Sequence, residues 1–298
     1  MKIIEKLIII FFVLIIFTAC SGSKEEGTSS DNQETPSANV VENSKKEEDN
    51  KPEFEELTVV DNDYMTMKFT DLDVNGSWGY TLKVNIENKS DNDLLIGMNN
   101  ASIDGVMCDP FWATSVAAGK KMNGDISWPK TLLEKNGLSG INNLAFTLNV
   151  SDNNTWDSIF EEECSLTIDS SVPAPNEVTY PNFNEQVIVD NDQLIFKLIN
   201  IDPQGDMGYT LRVYIENKTN SLVLISWDEV SVNGYMCDPF WATTVSPNCR
   251  AYADISWGKS QFDENGITDV SEIEFNLRMS SYSSMDTLHS DTYTIEVQ

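Results

Sequence analysis

The chain has 298 residues, 40% of them hydrophobic and 10% aromatic, with a formal net charge of −29. That length and apolar content suffice for two domains with buried cores. So acidic a surface repels phosphate backbones, which excludes nucleic acid as a partner, and it argues against the folded part lying on anionic lipid.

Lys2 and Lys6 precede an unbroken apolar run of 11 residues, Leu7 to Phe17. This is the length of a signal-peptide core and too short for a comfortable membrane span. Phe17-Thr18-Ala19-Cys20 then resembles a lipobox, with Phe17 where Leu is usual. The pattern predicts a signal peptide over 1–19 and lipidation of Cys20, anchoring the mature chain to the outer face of the cell membrane. Two acyl chains are needed there, because one anchors only marginally. Residues 21–56 are mostly Ser, Glu, Lys, Asp and Asn. With so little to bury they are expected to stay disordered, completing a lipidated linker over 20–56. Such a tether spans on the order of 30 Å.

From Asp61 the chain repeats itself. Residues 61–169 align without a gap on 190–298 at an offset of 129, with 39 identities in 109 pairs. Met107 to Thr114 recurs unchanged as Met236 to Thr243, and Asp125-Ile126-Ser127-Trp128 recurs as Asp254 to Trp257. Between the copies, Pro173 and Pro175 mark a short stiff linker over 170–180, ahead of Pro181. The expected domains are therefore 57–169 and 181–298.

Both copies read as strands. Tyr80, Leu82, Val84 and Ile86 alternate with polar residues, as do Tyr209, Leu211, Val213 and Ile215. Period two with one apolar face marks a half-buried strand. Asp104-Gly105 and Asn233-Gly234 stand at equivalent places and supply the positive φ angles of a two-residue hairpin turn. One helical turn is expected around Thr131 to Lys135, ended by Asn136-Gly137. About seven short strands per copy make an all-β chain of two tandem immunoglobulin-like antiparallel β-sandwiches.

The run Gly-Tyr-Thr-Leu-x-Val-x-Ile-Glu-Asn-Lys-[Ser/Thr] at 79–90 and 208–219, with Val116 to Lys121 in the first copy, resembles the immunoglobulin-like domains of uncharacterised lipoproteins from Gram-positive bacteria. The resemblance implies a fold and a location, and no activity. The second copy departs from it at Ser246 to Arg250.

Little points to catalysis. The one histidine, His289, faces Phe160 in the other copy, and no nucleophile elbow, phosphate loop or metal-ligand spacing is present. The expectation is a chain that is not an enzyme and needs no cofactor. Asp71, Asp73, Asn75 and Gly76 match half of a calcium loop, but Leu82 stands where a bidentate carboxylate belongs. A turn explains these residues equally well, so no metal site is assigned.

The aromatic blocks Phe111-Trp112 with Trp128, and Phe240-Trp241 with Trp257, supply the candidate binding residues Phe111, Phe240, Trp128 and Trp257. Exposed, they would stack on sugar rings or anchor a protein. Neighbours on a strand point to opposite faces, so Trp112 and Trp241 fit the core and leave Phe111 and Phe240 outside. For Trp128 and Trp257 the alternation points inward with Ile126 and Ile255, against a binding role. Cys108, Cys164, Cys237 and Cys249 fit either the disulfides Cys108–Cys164 and Cys237–Cys249 or four buried thiols.

The expected function is a membrane-anchored, non-catalytic binding or adhesion module for a protein or polymer ligand. The alternatives are a structural subunit of an envelope complex and a carbohydrate-binding protein. A hydrophobic seam between the repeats would favour the structural role, and an aromatic row on one sheet face would favour sugar.

Overall fold

The computed structural model describes residues 54–297. Cys20, the expected signal peptide and most of the expected tether lie outside the described residues. In the first copy the order is β1 (Leu57–Asp61), β2 (Met65–Gly76), β3 (Gly79–Asn88), β4 (Leu94–Ile103), β5 (Val106–Met107), β6 (Ala113–Val116), β7 (Lys121–Trp128), α1 (Lys130–Lys135), β8 (Asn143–Asp152) and β9 (Ser158–Thr167). The second copy repeats it as β10 (Gln186–Asp190), β11 (Leu194–Gly205), β12 (Gly208–Asn217), β13 (Val223–Val232), β14 (Tyr235–Met236), β15 (Ala242–Val245), β16 (Arg250–Trp257), α2 (Lys259–Asn265), β17 (Glu272–Ser281) and β18 (Thr287–Glu296). No described helix is long and apolar enough to cross a membrane.

Each copy is an antiparallel β-sandwich. One sheet runs β1-β2-β3-β7; its facing sheet has β4 at the centre, β8 and β9 on one side, β5 and β6 on the other. The second copy places β10-β11-β12-β16 against β13, flanked by β17-β18 and by β14 and β15. The expected alternation builds the cores. Leu82, Val84 and Ile86 are buried with Met65, Met67 and Phe69, and Leu211, Val213 and Ile215 are buried in the second copy. The hairpin turns adopt the left-handed geometry that their residues allow, with φ of 49° and 76° at Asp104-Gly105 and 52° and 80° at Asn233-Gly234.

Two features of the chain path were not anticipated. The second strand runs on through Asp71 to Gly76, and its hairpin turns at Ser77-Trp78 instead. The stretch 170–180 is pinned down rather than left as a spacer. Asn176 N–H donates to Gly137 O at 2.8 Å and Val178 N–H to the Tyr252 hydroxyl at 3.2 Å. Val178 and Tyr180 pack on the first core.

The copies also share a sheet. Val106 of β5 pairs in parallel with Arg250 of β16, so β10-β11-β12-β16 continues into β5-β4-β8-β9. Every other pairing in these sheets is antiparallel.

Candidate functional site

Trp128 and Trp257 are core residues, which corrects their candidacy as binding residues. Both are 0% exposed, at the ends of β7 and β16. A buried indole needs an acceptor for its N–H. Trp128 Nε1 donates to Cys108 O at 2.9 Å, and Trp257 Nε1 to Cys237 O at 2.7 Å. Each Trp thereby fastens the start of the loop that carries Phe111 or Phe240.

That loop presents the phenyl rings outward. Phe111 is 80% exposed and Phe240 88%, and both have a φ of 52°. They are not on a strand, so strand alternation does not set their orientation. The positive φ, rather than the strand pleat, turns the ring out while Trp112 and Trp241 pack on their cores. Positive φ is rare for a bulky residue and costs of order 1–3 kcal/mol. In the second copy Asp238 Oδ1 holds the turn by accepting from Phe240 N–H at 2.7 Å. In the first, the equivalent Asp109 turns inward to the backbone N–H groups of Asn100 and Ala101. Burial pushes its carboxyl up to about 6 against those two donors.

A second exposed side chain joins each loop at the same end of the sandwich. Trp78, 79% exposed, caps the β2–β3 hairpin, and Met207, 75% exposed, caps β11–β12. Gly79 brings the first hairpin so close that a Cβ would lie 2.2 Å from Trp128 O; Gly208 does the same at Trp257 O. Hairpin and loop are thus both seated on the buried Trp. Nothing in the alternation signalled Trp78 or Met207; their place in the turns is what exposes them.

The four cysteines are free, correcting the disulfide alternative. Cys108 follows β5 and Cys164 sits on the edge strand β9, with β4 and β8 between them. Three strand spacings put them roughly 14 Å apart. Cys237 O meets Trp257 at the end of β16, whereas Cys249 precedes its start, 8 residues away. That is about 25 Å of strand, far beyond the reach of a disulfide. Burial pushes the Cys108 thiol up to about 12 and Cys164 to about 11, which leaves little thiolate at neutral pH.

The other residues singled out in the sequence are dispersed. His289 Nε2 lies 3.1 Å from the Tyr293 hydroxyl and 3.7 Å from Asp291. Asp71, Asp73 and Asn75 sit along β2, where Asp73 Oδ1 accepts from Asn75 N–H and the Lys83 ammonium compensates Asp71 and Asp73. Among the described residues no group of three or more His, Cys, Asp or Glu could hold a metal.

Sequence reasoning missed the joint between the copies. Ile199, Tyr214 and Tyr252 of the second copy pack into the first core, and Met107 of the first packs into the second. Arg250 N–H donates to Gly105 O at 2.9 Å. Asn100, in a β4 bulge at φ 52°, accepts from Thr244 Oγ1 at 2.8 Å through its side chain and from Ser246 Oγ at 3.4 Å through its carbonyl. Arg212 bridges Asp254 at 3.0 Å and Lys135 O at 2.8 Å. A cleft of about 270 Å³ beside the joint is lined by Pro175, Ile199, Tyr214 and Tyr252, with charged Lys197 and Glu216 at its sides.

No family model matches the chain, and no curated protein matches it. Among the solved structures that resemble the chain, the likeness is distant. A protein of unknown function from Porphyromonas gingivalis W83 is 12% identical, over 73% of this chain and 91% of that one, with a TM-score of 0.20. The Salmonella enterica SafA pilin in complex with the SafB chaperone is 9% identical, over 72% and 89%, with a TM-score of 0.18. Neither is close enough to transfer a function.

Proposed function

We propose that the chain is an extracytoplasmic lipoprotein, anchored through Cys20, that acts as a non-catalytic binding module for a protein or polymer. The observation that carries the binding reading is the pair Phe111 and Phe240. In both copies a large apolar ring is held in solvent by a strained backbone that gains nothing from burial. Strain kept at an exposed position points to a contact made elsewhere. The test compares residues 52–298 with the double variant Phe111→Ala/Phe240→Ala on a glycan array and against a cell-envelope protein extract. Species retained by the wild type and lost by the equally stable variant support the proposal; identical profiles refute it. For the anchor, Cys20→Ala should release the protein or leave an unprocessed precursor. An unmodified Cys20 in the mature wild-type protein, seen by mass spectrometry, would rule lipidation out.

The joint favours a second reading, a structural subunit of an envelope assembly. A seam of Tyr214, Tyr252, Ile199 and Met107 fuses the copies into one compact unit. The exposed aromatics, by contrast, stand on loop tips and not in a row on a sheet face, so sugar stacking has less to support it.

A further inference from the structure

The joint is heterologous: the β4–β5 edge of one repeat meets the β16 edge of the next. Such a contact uses each partner's surface once and leaves the complementary surface of each free. The free ends here are the β13–β14 edge of the second copy and the β7 edge of the first. We propose that these two edges join one copy of the chain to the next, so that the internal joint is repeated between molecules and the chain assembles head to tail. The proposal builds on the structural reading and names the partner as a second copy.

Three observations support this occupant. First, the free donor edge has the backbone shape of the one already used. Its bulge residue Glu229 has a φ of 53° where Asn100 has 52°, and Gly234 has 80° where Gly105 has 76°. Second, the side chains that the internal joint covers are uncovered here. Val106 is buried and Met107 half-buried, whereas their equivalents Tyr235 and Met236 are 54% and 68% exposed. The acceptor side shows the same contrast: the Arg212 side chain is 10% exposed and its equivalent Lys83 40%.

Third, the free edges differ in the sign of the charges they carry. The donor edge has Glu229 and Glu264 at the positions of Asn100 and Lys135. The acceptor edge has Lys83, Lys120 and Lys121 at the positions of Arg212, Cys249 and Arg250. Superposing the internal joint on a copy-to-copy contact brings Lys121 N–H to Gly234 O and Lys83 to the end of α2 at Glu264. The Lys83–Asp125 pair at 2.9 Å already reproduces the Arg212–Asp254 pair that orients the internal contact. Opposite charges on the two edges, with Lys83 and Glu264 brought together, favour this register over edge-to-edge pairing of like ends.

A joint with a single strand pairing is small, and the free acceptor face has Thr70, Asn85 and Asn123 where the internal joint has Ile199, Tyr214 and Tyr252, so assembly should be weak in solution. In sedimentation of residues 52–298, the compact unit that holds every described strand and both cores, the weight-average mass should rise continuously with concentration. It should pass beyond two chains between roughly 10 µM and 1 mM. Two charge-reversed variants make the test specific. Glu229→Lys/Glu264→Lys and Lys83→Glu/Lys121→Glu should each stay monomeric alone, and an equimolar mixture should regain the growing mass, because each end again meets its opposite. Phe111→Ala/Phe240→Ala should assemble like the wild type, which separates this proposal from the binding reading. A wild type that stays monomeric at about 1 mM, a mass that stops at two chains, or reversed variants that assemble alone would each overturn it.

Discussion

Trp257 shows how one side chain serves both core and surface. Its ring packs at the end of β16, and its N–H seats the carbonyl of Cys237, three residues before the exposed Phe240. Truncation to Ala removes a fully buried ring and leaves that carbonyl without its donor. The expected cost for Trp257→Ala or Trp128→Ala is about 3–5 kcal/mol, read by urea unfolding. A Trp128→Ala protein of wild-type stability that has lost binding would instead place the residue at a ligand surface. Asp109 is a quieter case with a definite sign. Burial raises its folded pKa from 3.8 to about 6, so the folded state holds the proton more tightly than the unfolded chain. Its contribution therefore favours folding in acid, declines as the pH rises between about 4 and 6, and is a full penalty above that window. Asp109→Asn should raise the melting temperature at pH 7–8 and lose that advantage near pH 4. An equal effect at both pH values would show that ionisation is not the cause.

Among the elements, the strands and turns were the readable part. A strand with one face in a core must alternate, and a two-residue turn with two positive φ angles needs Asp-Gly or Asn-Gly. Those constraints act within a few residues and leave a local mark. The β2–β3 hairpin left a weaker one, because its tightness comes from a neighbouring strand. Gly79 and Gly208 have φ of 108° and 110° and lie against the carbonyls of Trp128 and Trp257. Gly79→Ala should therefore destabilise the first copy by more than the roughly 1 kcal/mol of backbone strain alone, since a Cβ would displace the end of β7. A melting temperature unchanged in that variant would refute the close approach. The cysteines stay open between disulfides and free thiols in the sequence for the opposite reason: pairing depends on which strands intervene, and composition is silent about that. The joint did leave a trace. Ile199, Tyr214 and Tyr252 stand where the other copy has Thr70, Asn85 and Asn123, on the outward rows of their strands. Apolar residues at outward positions in one copy only are the signature of a surface that the chain itself covers.

At the scale of the molecule, that substitution pattern gives a direct test of whether the repeats act as one body. Tyr214 and Tyr252 meet edge to face at 5.5 Å and pack into the first core, while Arg212 lies over the Tyr252 ring at 5.8 Å. Aromatic and cation–π contacts of this kind contribute of order 1 kcal/mol each beyond the area they bury. Against them stands some unmet demand: Nε of Arg212 and of Arg250 is buried without a hydrogen-bond partner. The balance should leave a coupling of about 1–3 kcal/mol between the cores, in the range for groups in direct contact. In calorimetry of residues 52–298 the wild type should unfold in a single transition. The variant Tyr214→Asn/Tyr252→Asn carries the first copy's own residues at these positions, which that copy tolerates in the same sheet. It should split the transition in two, the lower component falling by several degrees, since about 1 kcal/mol moves a domain of this size by roughly 4–8 °C. Both halves should keep a β-rich circular dichroism spectrum, because neither core loses its own strands. If the wild type already melts in two independent steps, or the variant trace overlays it, the shared sheet couples nothing and the copies are separate domains joined by 170–180.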